Sequence, residues 1–322
     1  TPRGGWFVAT TKDIRGKWDV QAMKDSNGRE LRGRGWDDLC PLWDDDGQAY
    51  IIASNFGERW FPHIYKMSWD GTQLLDGLID KDSDMSKNME IIGGYVVKPF
   101  RTAEANKLYK WNGMYYIYFS EVRNIHGNRV RVPVMRRSNS IYGPYDEQLL
   151  MHSQGKSVDK EPNQGSIIDT KDGSWYFVTH HGTGDFDGRV LSVLPVNWKD
   201  NWPHIGKDSD NDGVGEMVWE MQIPHKGQEG IKVQTSDFFD SSQLGHQWEF
   251  NHQPRQGKWS LHERKGFLRL HAFSQLRKDD FFSTGNVLSQ RYIRWGKGEA
   301  VAKFDIRNMS EGQEAGLVHF NG

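Results

Sequence analysis

A short sequence phrase recurs along the first two thirds of the chain, and it limits the fold more than any other feature. The phrase reads DDDGQAYIIAS from residue 44, WNGMYYIYFSE from residue 111 and TKDGSWYFVTH from residue 170. Each copy has a turn ending in glycine, then Gly-x-x-Tyr, then a β-rich run, and such turns predict hairpins. The glycines, Gly47, Gly113 and Gly173, are 66 and 60 residues apart. Repeats of this length that hold several strands predict an all-β propeller or a similar radial array.

The two ends of the chain depart from this repeat. Residues 5–19, GWFVATTKDIRGKWD, match the segment that follows each copy of the phrase, so we expect the chain to begin within a blade and to lack at least half of it. After about residue 225 the phrase disappears and alternating strands such as AVAKFDI follow, which is typical of a β-sandwich. We therefore predict a propeller domain at 1–225, incomplete at its N-terminus, and a sandwich at 226–322, cut short at its C-terminus.

Charge and composition exclude several classes of partner. The chain has 322 residues with 41 basic and 43 acidic side chains, and no basic block, which argues against a nucleic-acid partner. No apolar run approaches the roughly 20 residues that a membrane helix needs. The single cysteine, Cys40, excludes an intrachain disulfide. The many aromatic residues (14 Trp, 11 Tyr and 16 Phe) suit strands and, by their flat faces, sugar rings.

Acidic residues in the first repeat divide into two groups. Asp44, Asp45 and Asp46 precede Gly47 at a predicted hairpin tip, where aspartate accepts local backbone hydrogen bonds. Asp38 lies earlier, among apolar residues, where a carboxylate must find a partner or change its pKa.

Glu104 is a second candidate acid. It precedes Gly113 by nine residues, and Asp38 precedes Gly47 by the same number, which predicts equivalent places near the axis of a propeller. Two carboxyl groups near one axis are what glycoside hydrolysis requires. A structural buried acid at Asp38 and a surface charge at Glu104 are the alternatives.

At this point the sequence resembles glycoside hydrolase family 43, which includes β-xylosidases and α-L-arabinofuranosidases. The resemblance rests on WDDLCPLWDDDGQAY, AEANKLYKWNGMYYIYFSE and NQGSIIDTKDGSWYFVTHH with DGRVLSVLPVNW, and it covers residues 1–225. The tail resembles the concanavalin-like sandwich that is often attached to family members. The resemblance implies a five-bladed propeller with a funnel-shaped site on its axis.

The resemblance also implies roles for individual residues. Glu104 would be the general acid, and Asp38 the aspartate that tunes the pKa of the acid. Arg189 would contact the innermost sugar. Trp36 and Asp37, which precede Asp38, would line the pocket; Asp37 replaces an aromatic residue found in some relatives. The family's aspartate base belongs to the first blade, and no residue of this chain matches it.

Metal binding is left open by the sequence. Relatives often carry an axial histidine that binds a calcium ion or water cluster, whereas this chain has Gln164 at the matching position. The acidic loop DSDNDG offers Asp208, Asp210 and Asp212 to calcium, but an EF-hand glutamate is absent from the twelfth place, which is Trp219. The resemblance implies no cofactor in the reaction, and a structural calcium ion is an open alternative.

The functional prediction is an inverting, exo-acting glycoside hydrolase that removes α-L-arabinofuranosyl or β-D-xylosyl residues from hemicellulose oligosaccharides. Its partner would be an oligosaccharide or polysaccharide, with no nucleic acid and no membrane. The alternative is a non-catalytic carbohydrate-binding propeller, because the base is missing. Plant polysaccharides as substrates slightly favour a secreted or periplasmic protein over a cytoplasmic one.

Overall fold

The structure of the protein is a computed structural model. The structure describes residues 4–57, 60–84, 88–98, 103–125, 127–152, 162, 164–182, 189–222, 236–251, 254–273, 277, 280–290 and 299–319. The chain forms two compact units, Thr1–Gln222 and Ile223–Gly322. The predicted boundary between 225 and 226 lies outside the described residues and stays a prediction.

Strands dominate the first unit, and no α-helix occurs among the described residues of either unit, which confirms the all-β prediction. The first unit contains β1 Phe7–Thr10, β2 Asp19–Ala22, β3 Trp36–Trp43, β4 Ala49–Asn55, β5 Phe61–Met67, β6 Gly77–Ile79, β7 Ile91–Gly93, β8 Tyr95–Val96, β9 Ala103–Trp111, β10 Met114–Ile125, β11 Asn128–Ser138, β12 Asp146–Leu149, β13 Gly165–Asp169, β14 Trp175–Gly182, β15 Arg189–Lys199 and β16 Trp202–Ile205. In the described part of the chain, no helix combines the length and apolar character needed to cross a membrane.

Three four-stranded antiparallel sheets form the body of the first unit. We call them blade A (β3, β4, β5 and β8), blade B (β9 to β12) and blade C (β13 to β16). Two smaller antiparallel pairs accompany them, β1 with β2 and β6 with β7. Each blade contains one copy of the repeated phrase, so the repeat unit inferred from the sequence is the blade.

The repeated glycines lie at hairpin tips, as predicted. Gly47, Gly113 and Gly173 have φ angles of 85°, 76° and 82°, in the left-handed region that favours glycine. Space around them is not limiting, because a Cβ atom there would meet nothing within 4 Å. Asp46 Oδ1 accepts the N–H of Gln48 at 2.7 Å, which confirms the turn role predicted for this acid.

Apolar side chains join neighbouring blades into shared cores. Ile52 and Ile64 of blade A pack with Leu108, Ile117 and Phe119 of blade B. A second core lies between blades B and C and includes fully buried side chains from both sheets: Tyr116, Tyr118, Met135, Phe177 and Leu194. Because both faces of blade B are covered, its strands are apolar on both sides, and β10 reads almost continuously apolar.

The second unit has less regular structure among its described residues. It contains β17 Trp248–Phe250 paired with β20 Leu288–Gln290, β18 Trp259–Ser260 paired with β19 Arg269–Leu270, and a 3-10 helix at Phe281–Ser283. The strand predicted from AVAKFDI is not observed, and Val301 and Ile306 are 85% and 60% exposed. Alternation alone does not make a strand, since its backbone groups need a paired neighbour.

Candidate active site

A β-bulge on β3 presents Asp38. The ladder pairs Asp37 with Ser54 and Cys40 with Ile52, which leaves two residues between them against one on β4. Asp38 has a φ of 52°, unusual for a residue with a side chain, and its N–H donates to Asp37 Oδ1 at 2.9 Å. The bulge therefore changes the direction of β3 at Asp38, a candidate site residue.

The inner strand of blade B carries the same irregularity beside Glu104. Glu104 pairs with Ser120 and Lys107 pairs with Tyr118, and Ala105 between them has a φ of 67°. Two adjacent blades thus bend at the same level, each with an acidic residue next to the bend.

Hydrogen bonds connect the two bends. Asp38 Oδ2 accepts the N–H of Ala105 at 2.7 Å, so the carboxylate of one blade holds the backbone beside Glu104 in the next. The buried amide of Asn106 donates to Ser54 Oγ at 2.8 Å and to the Asp38 carbonyl at 3.4 Å. The structure therefore brings the two predicted acids together on neighbouring strands.

The prediction that Asp38 and Glu104 occupy equivalent places in their blades is wrong by one residue. The ladders align Glu104 with Asp37, and Ala105 with Asp38, because the tip of the first hairpin is one residue longer. Cys40 precedes Gly47 by seven residues, whereas its structural equivalent, Lys107, precedes Gly113 by six. Counting from the glycine did not correct for this difference in loop length.

Burial and neighbouring charges act on Asp38. Burial raises the pKa of its carboxyl, and the negative charges of Asp37 and Glu104 raise it further. The Ala105 N–H and the Lys107 ammonium oppose these effects only in part. Asp38 thus binds a proton more readily than an exposed aspartate.

Glu104 forms an ion pair with an arginine that lies two strands away in the same blade. Arg131 of β11 places Nη1 3.0 Å from Oε2 and Nη2 3.2 Å from Oε1. Both side chains remain partly open, at 23% and 21% exposure. Nothing in the sequence pattern indicated this pair, since the two residues are on strands separated by β10.

Arg189 lies at the corresponding end of blade C. It is the first residue of β15, pairs with Gly182 and is exposed. Burial lowers the pKa of the neighbouring His180, and the positive charge of Arg189 lowers it further. Next to it, His181 accepts or donates a 2.8 Å hydrogen bond with Ser192 and contacts the ring of Trp219 at 5.0 Å.

The predicted site residues of all three blades lie at the same end of their sheets. The strands β3, β9 and β13 all begin there, and β15 runs parallel to β13 through two antiparallel pairings. Gln164 directly precedes β13, and its carbonyl accepts a hydrogen bond from the Thr179 hydroxyl at 3.0 Å. Polar residues of three blades thus share one end of the first unit.

Trp36 occupies the core beneath this end. Its side chain is 3% exposed, its indole N–H donates to the Met89 carbonyl at 2.6 Å, and its ring meets Trp6 edge-on at 5.6 Å. Asp37, in contrast, is partly exposed and accepts the Asp38 N–H. Trp36 is thus a core residue that packs beneath the site. Its burial gives no support to the predicted contact with substrate.

Comparison with known proteins shows which family the chain belongs to. The profile of the family described as "Glycosyl hydrolases family 43" matches residues 1–203, and that of "Beta xylosidase C-terminal Concanavalin A-like domain" matches residues 236–322. A "Beta-xylosidase" of Formosa agariphila is 35% identical over 99% of this chain and 57% of its own length. The chain belongs to glycosyl hydrolases family 43.

Two further proteins resemble this chain. A "Non-reducing end alpha-L-arabinofuranosidase" of Bacteroides ovatus is 26% identical over 84% of this chain and 55% of its own length. The crystal structure of a xylan β-1,4-xylosidase from Bacillus halodurans has a TM-score of 0.66 at 23% identity, and the match covers 89% of this chain and 52% of that one. The chain thus spans about half the length of these relatives, and the predicted propeller fold with a concanavalin-like domain is confirmed.

In the acidic loop of this family 43 chain, the residues that lie together differ from the predicted calcium ligands. The ligand atoms of His152, Asp210 and Asp212 lie within 4.8 Å of one another, and His152 Nε2 is 2.7 Å from Asp212 Oδ2. Asp208 instead accepts the Gly213 N–H at 3.1 Å. A metal role stays a prediction, because a histidine–aspartate hydrogen bond explains the contact equally well.

Proposed function

We propose that this protein is an inverting, exo-acting glycoside hydrolase that removes α-L-arabinofuranosyl or β-D-xylosyl residues from oligosaccharides. The supporting observation is the hydrogen bond between Asp38 Oδ2 and the Ala105 N–H, which fixes one acid beside the other at the open end of the blades. Family membership supports the reaction class. The names of the relatives, a β-xylosidase and a non-reducing-end arabinofuranosidase, support the sugars and exo action.

In this mechanism, Glu104 donates a proton to the departing glycosidic oxygen. The Ala105 N–H holds the Asp38 carboxyl group close to Glu104. In this position, the charge of Asp38 affects how readily Glu104 holds its proton. Arg189 binds sugar hydroxyls from blade C. A further carboxylate on the opposite face of the sugar activates water, about 6.5–9.5 Å from the acid. The reaction uses carboxyl groups and water and requires no cofactor.

The test is hydrolysis by the wild-type protein and by Glu104→Gln of paired aryl α-L-arabinofuranosides and β-D-xylosides, and of the matching oligosaccharides. Without a general acid, turnover of oligosaccharides should fall by about 10²–10⁴-fold. The loss should be much smaller for a dinitrophenyl glycoside, whose leaving group needs no proton. Glu30→Gln, at an exposed site in the same unit, is the matched control.

Three results are informative. An equal loss on both kinds of leaving group would remove Glu104 from the role of acid. Unchanged turnover in Glu104→Gln would reject the site altogether. Sugar binding without turnover in the wild-type protein would favour the non-catalytic carbohydrate-binding propeller.

A further inference from the structure

The ion pair between Glu104 and Arg131 spans one strand of blade B. Glu104 on β9 faces Ser120 on β10, and Ser120 faces Pro133 on β11, two residues beyond Arg131. Alternate residues of a strand share a face, so all four side chains lie on the same side of the sheet. Ser120, which is fully buried and small, leaves room for the guanidinium to reach across β10 to the carboxylate.

The guanidinium contacts the carboxylate through both terminal nitrogens. Nη2 donates a hydrogen bond to Oε1 at 3.2 Å, and Nη1 lies 3.0 Å from Oε2 as part of the ion pair. A planar guanidinium in this position restricts the orientation of the carboxyl group more than a lysine ammonium does. Two other arginines of this sheet, Arg123 and Arg136, belong to a separate network, in which both bind Glu147.

The charge of this arginine opposes the proposed chemistry. A guanidinium favours the ionised form of an adjacent carboxyl group, whereas a general acid must hold a proton. Asp38 faces Glu104 from β3, where the two negative charges repel each other. Lys107, on the same strand, directs its ammonium to the carbonyls of Ala105 and Asn106.

We propose that Arg131 is a positioning residue for Glu104, which orients the carboxyl group toward the sugar. The orientation comes from the hydrogen bond between Arg131 Nη2 and Glu104 Oε1 and from the close approach of Nη1 to Oε2. This proposal rests on the proposed function for its catalytic meaning, but the ion pair can be measured without it.

The experiment compares Arg131→Gln, Arg131→Lys and a control, Arg129→Gln. Arg129 is exposed and lies two residues earlier on the same strand, so the control makes the same change of charge outside the pair. The first readout is the carboxyl carbon signal of Glu104 in ¹³C-labelled protein, assigned by its loss in Glu104→Gln. We expect the chemical shift of this signal at pH 7 to change in Arg131→Gln and to stay at the wild-type value in Arg129→Gln, because only the first substitution removes the ion pair.

The second readout is kcat and KM on an oligosaccharide and on a dinitrophenyl glycoside. In Arg131→Gln, kcat should fall about tenfold on the oligosaccharide alone, while KM stays near the wild-type value, because a misoriented acid weakens proton donation and not sugar binding. Arg131→Lys should recover only part of this loss, because an ammonium keeps the charge but does not fix the orientation of the carboxyl group.

The two readouts separate the possible failures. An unchanged Glu104 signal in folded Arg131→Gln would overturn the proposal, whatever the activity. A changed signal without any hydrolysis by the wild-type protein would retain the ion pair and reject the proposed function. An equal loss of kcat on both substrates would show that Arg131 is only structural and overturn its positioning role.

Discussion

At the scale of single residues, the site uses backbone conformations that the other non-glycine residues of the described strands avoid. Asp38 and Ala105 both have positive φ, at 52° and 67°, although neither is glycine. Such conformations cost free energy and persist where surrounding contacts enforce them. Here the enforcing contact is the hydrogen bond from the Ala105 N–H to Asp38 Oδ2, so the strained residues stabilise each other's positions.

Asp38→Asn should separate stability from activity. The raised pKa of Asp38 means that its ionised form disfavours folding, a cost that is absent below its ordinary pKa of 3.8 and appears as pH rises through the raised value. The amide oxygen of asparagine can still accept the Ala105 N–H. We expect the melting temperature at pH 7 to stay unchanged or to rise by about 1–3 °C, while hydrolysis is lost.

Thermal unfolding of wild type and Asp38→Asn at pH 4 and pH 7 measures this effect. The stability difference should be larger at pH 7, because the cost of burying the carboxyl group grows as pH rises above its ordinary pKa of 3.8. A variant that is less stable at pH 7 than the wild type would contradict the assignment of Asp38 as a destabilising charge.

At the scale of elements, the β3–β4 hairpin tip connects two blades as well as turning the chain. Asp44 is 2% exposed, and its carboxylate accepts hydrogen bonds from Lys110 and from the Tyr115 hydroxyl, at 2.5 and 2.6 Å. Burial raises the pKa of Asp44, but these hydrogen bonds outweigh it and lower the pKa to about 2. The sequence indicated the turn and gave no sign of the contact across blades.

Asp44→Asn should destabilise the first unit by about 1–3 kcal/mol at pH 7, because it weakens hydrogen bonds to Lys110 and Tyr115. A carboxyl group with a lowered pKa stabilises the fold above its ordinary pKa of 3.8, and this contribution is lost as pH falls toward about 2. The difference between wild type and variant should therefore shrink across that range.

Urea denaturation at pH 7, 4 and 2.5 tests this expectation. Asp45→Asn is the matched control, since Asp45 also meets Lys110 but is 81% exposed, and it should change stability by less than about 1 kcal/mol. Equal effects of the two substitutions would show that burial of Asp44 contributes nothing.

At the scale of the whole molecule, the blades of the first unit stabilise one another. Phe177 of blade C is fully buried and lies 5.6 Å from Tyr118 of blade B, within the core that the two sheets share. Close to it, Trp111 stacks on Trp198 at 4.0 Å across the same interface. Sheets joined in this way are expected to unfold together.

Phe177→Ala should lower the free energy of unfolding of the first unit by about 3–5 kcal/mol, because it leaves a cavity in the shared core. Ile168→Ala, at a 44% exposed position of the same blade, should cost far less. Chemical denaturation followed by tryptophan fluorescence and by circular dichroism should give one coincident transition. Separate transitions for the two probes would show that the blades unfold independently.

Much of the fold was predictable because its information is local. Glycine at each tip, the tyrosine three residues later and the β-rich run are all encoded within about ten residues, and each tip was found where expected. The acids Asp38 and Glu104 were found by their distance from these tips. The one-residue error in their alignment arose because the length of a hairpin loop depends on its conformation, which spacing alone does not show.

The sequence by itself determined the strand-rich repeat, the turns and the candidate acids, since hairpin signals and family motifs depend on residues close together in the chain. Tertiary structure alone decided the partners of those acids. Glu104 meets Arg131 across an intervening strand, Asp38 meets Ala105 from another blade, and Asp44 meets Lys110 through a shared interface. The physical reason is that ion pairs and shared cores form between residues far apart in sequence, once the packing of sheets has fixed which faces meet.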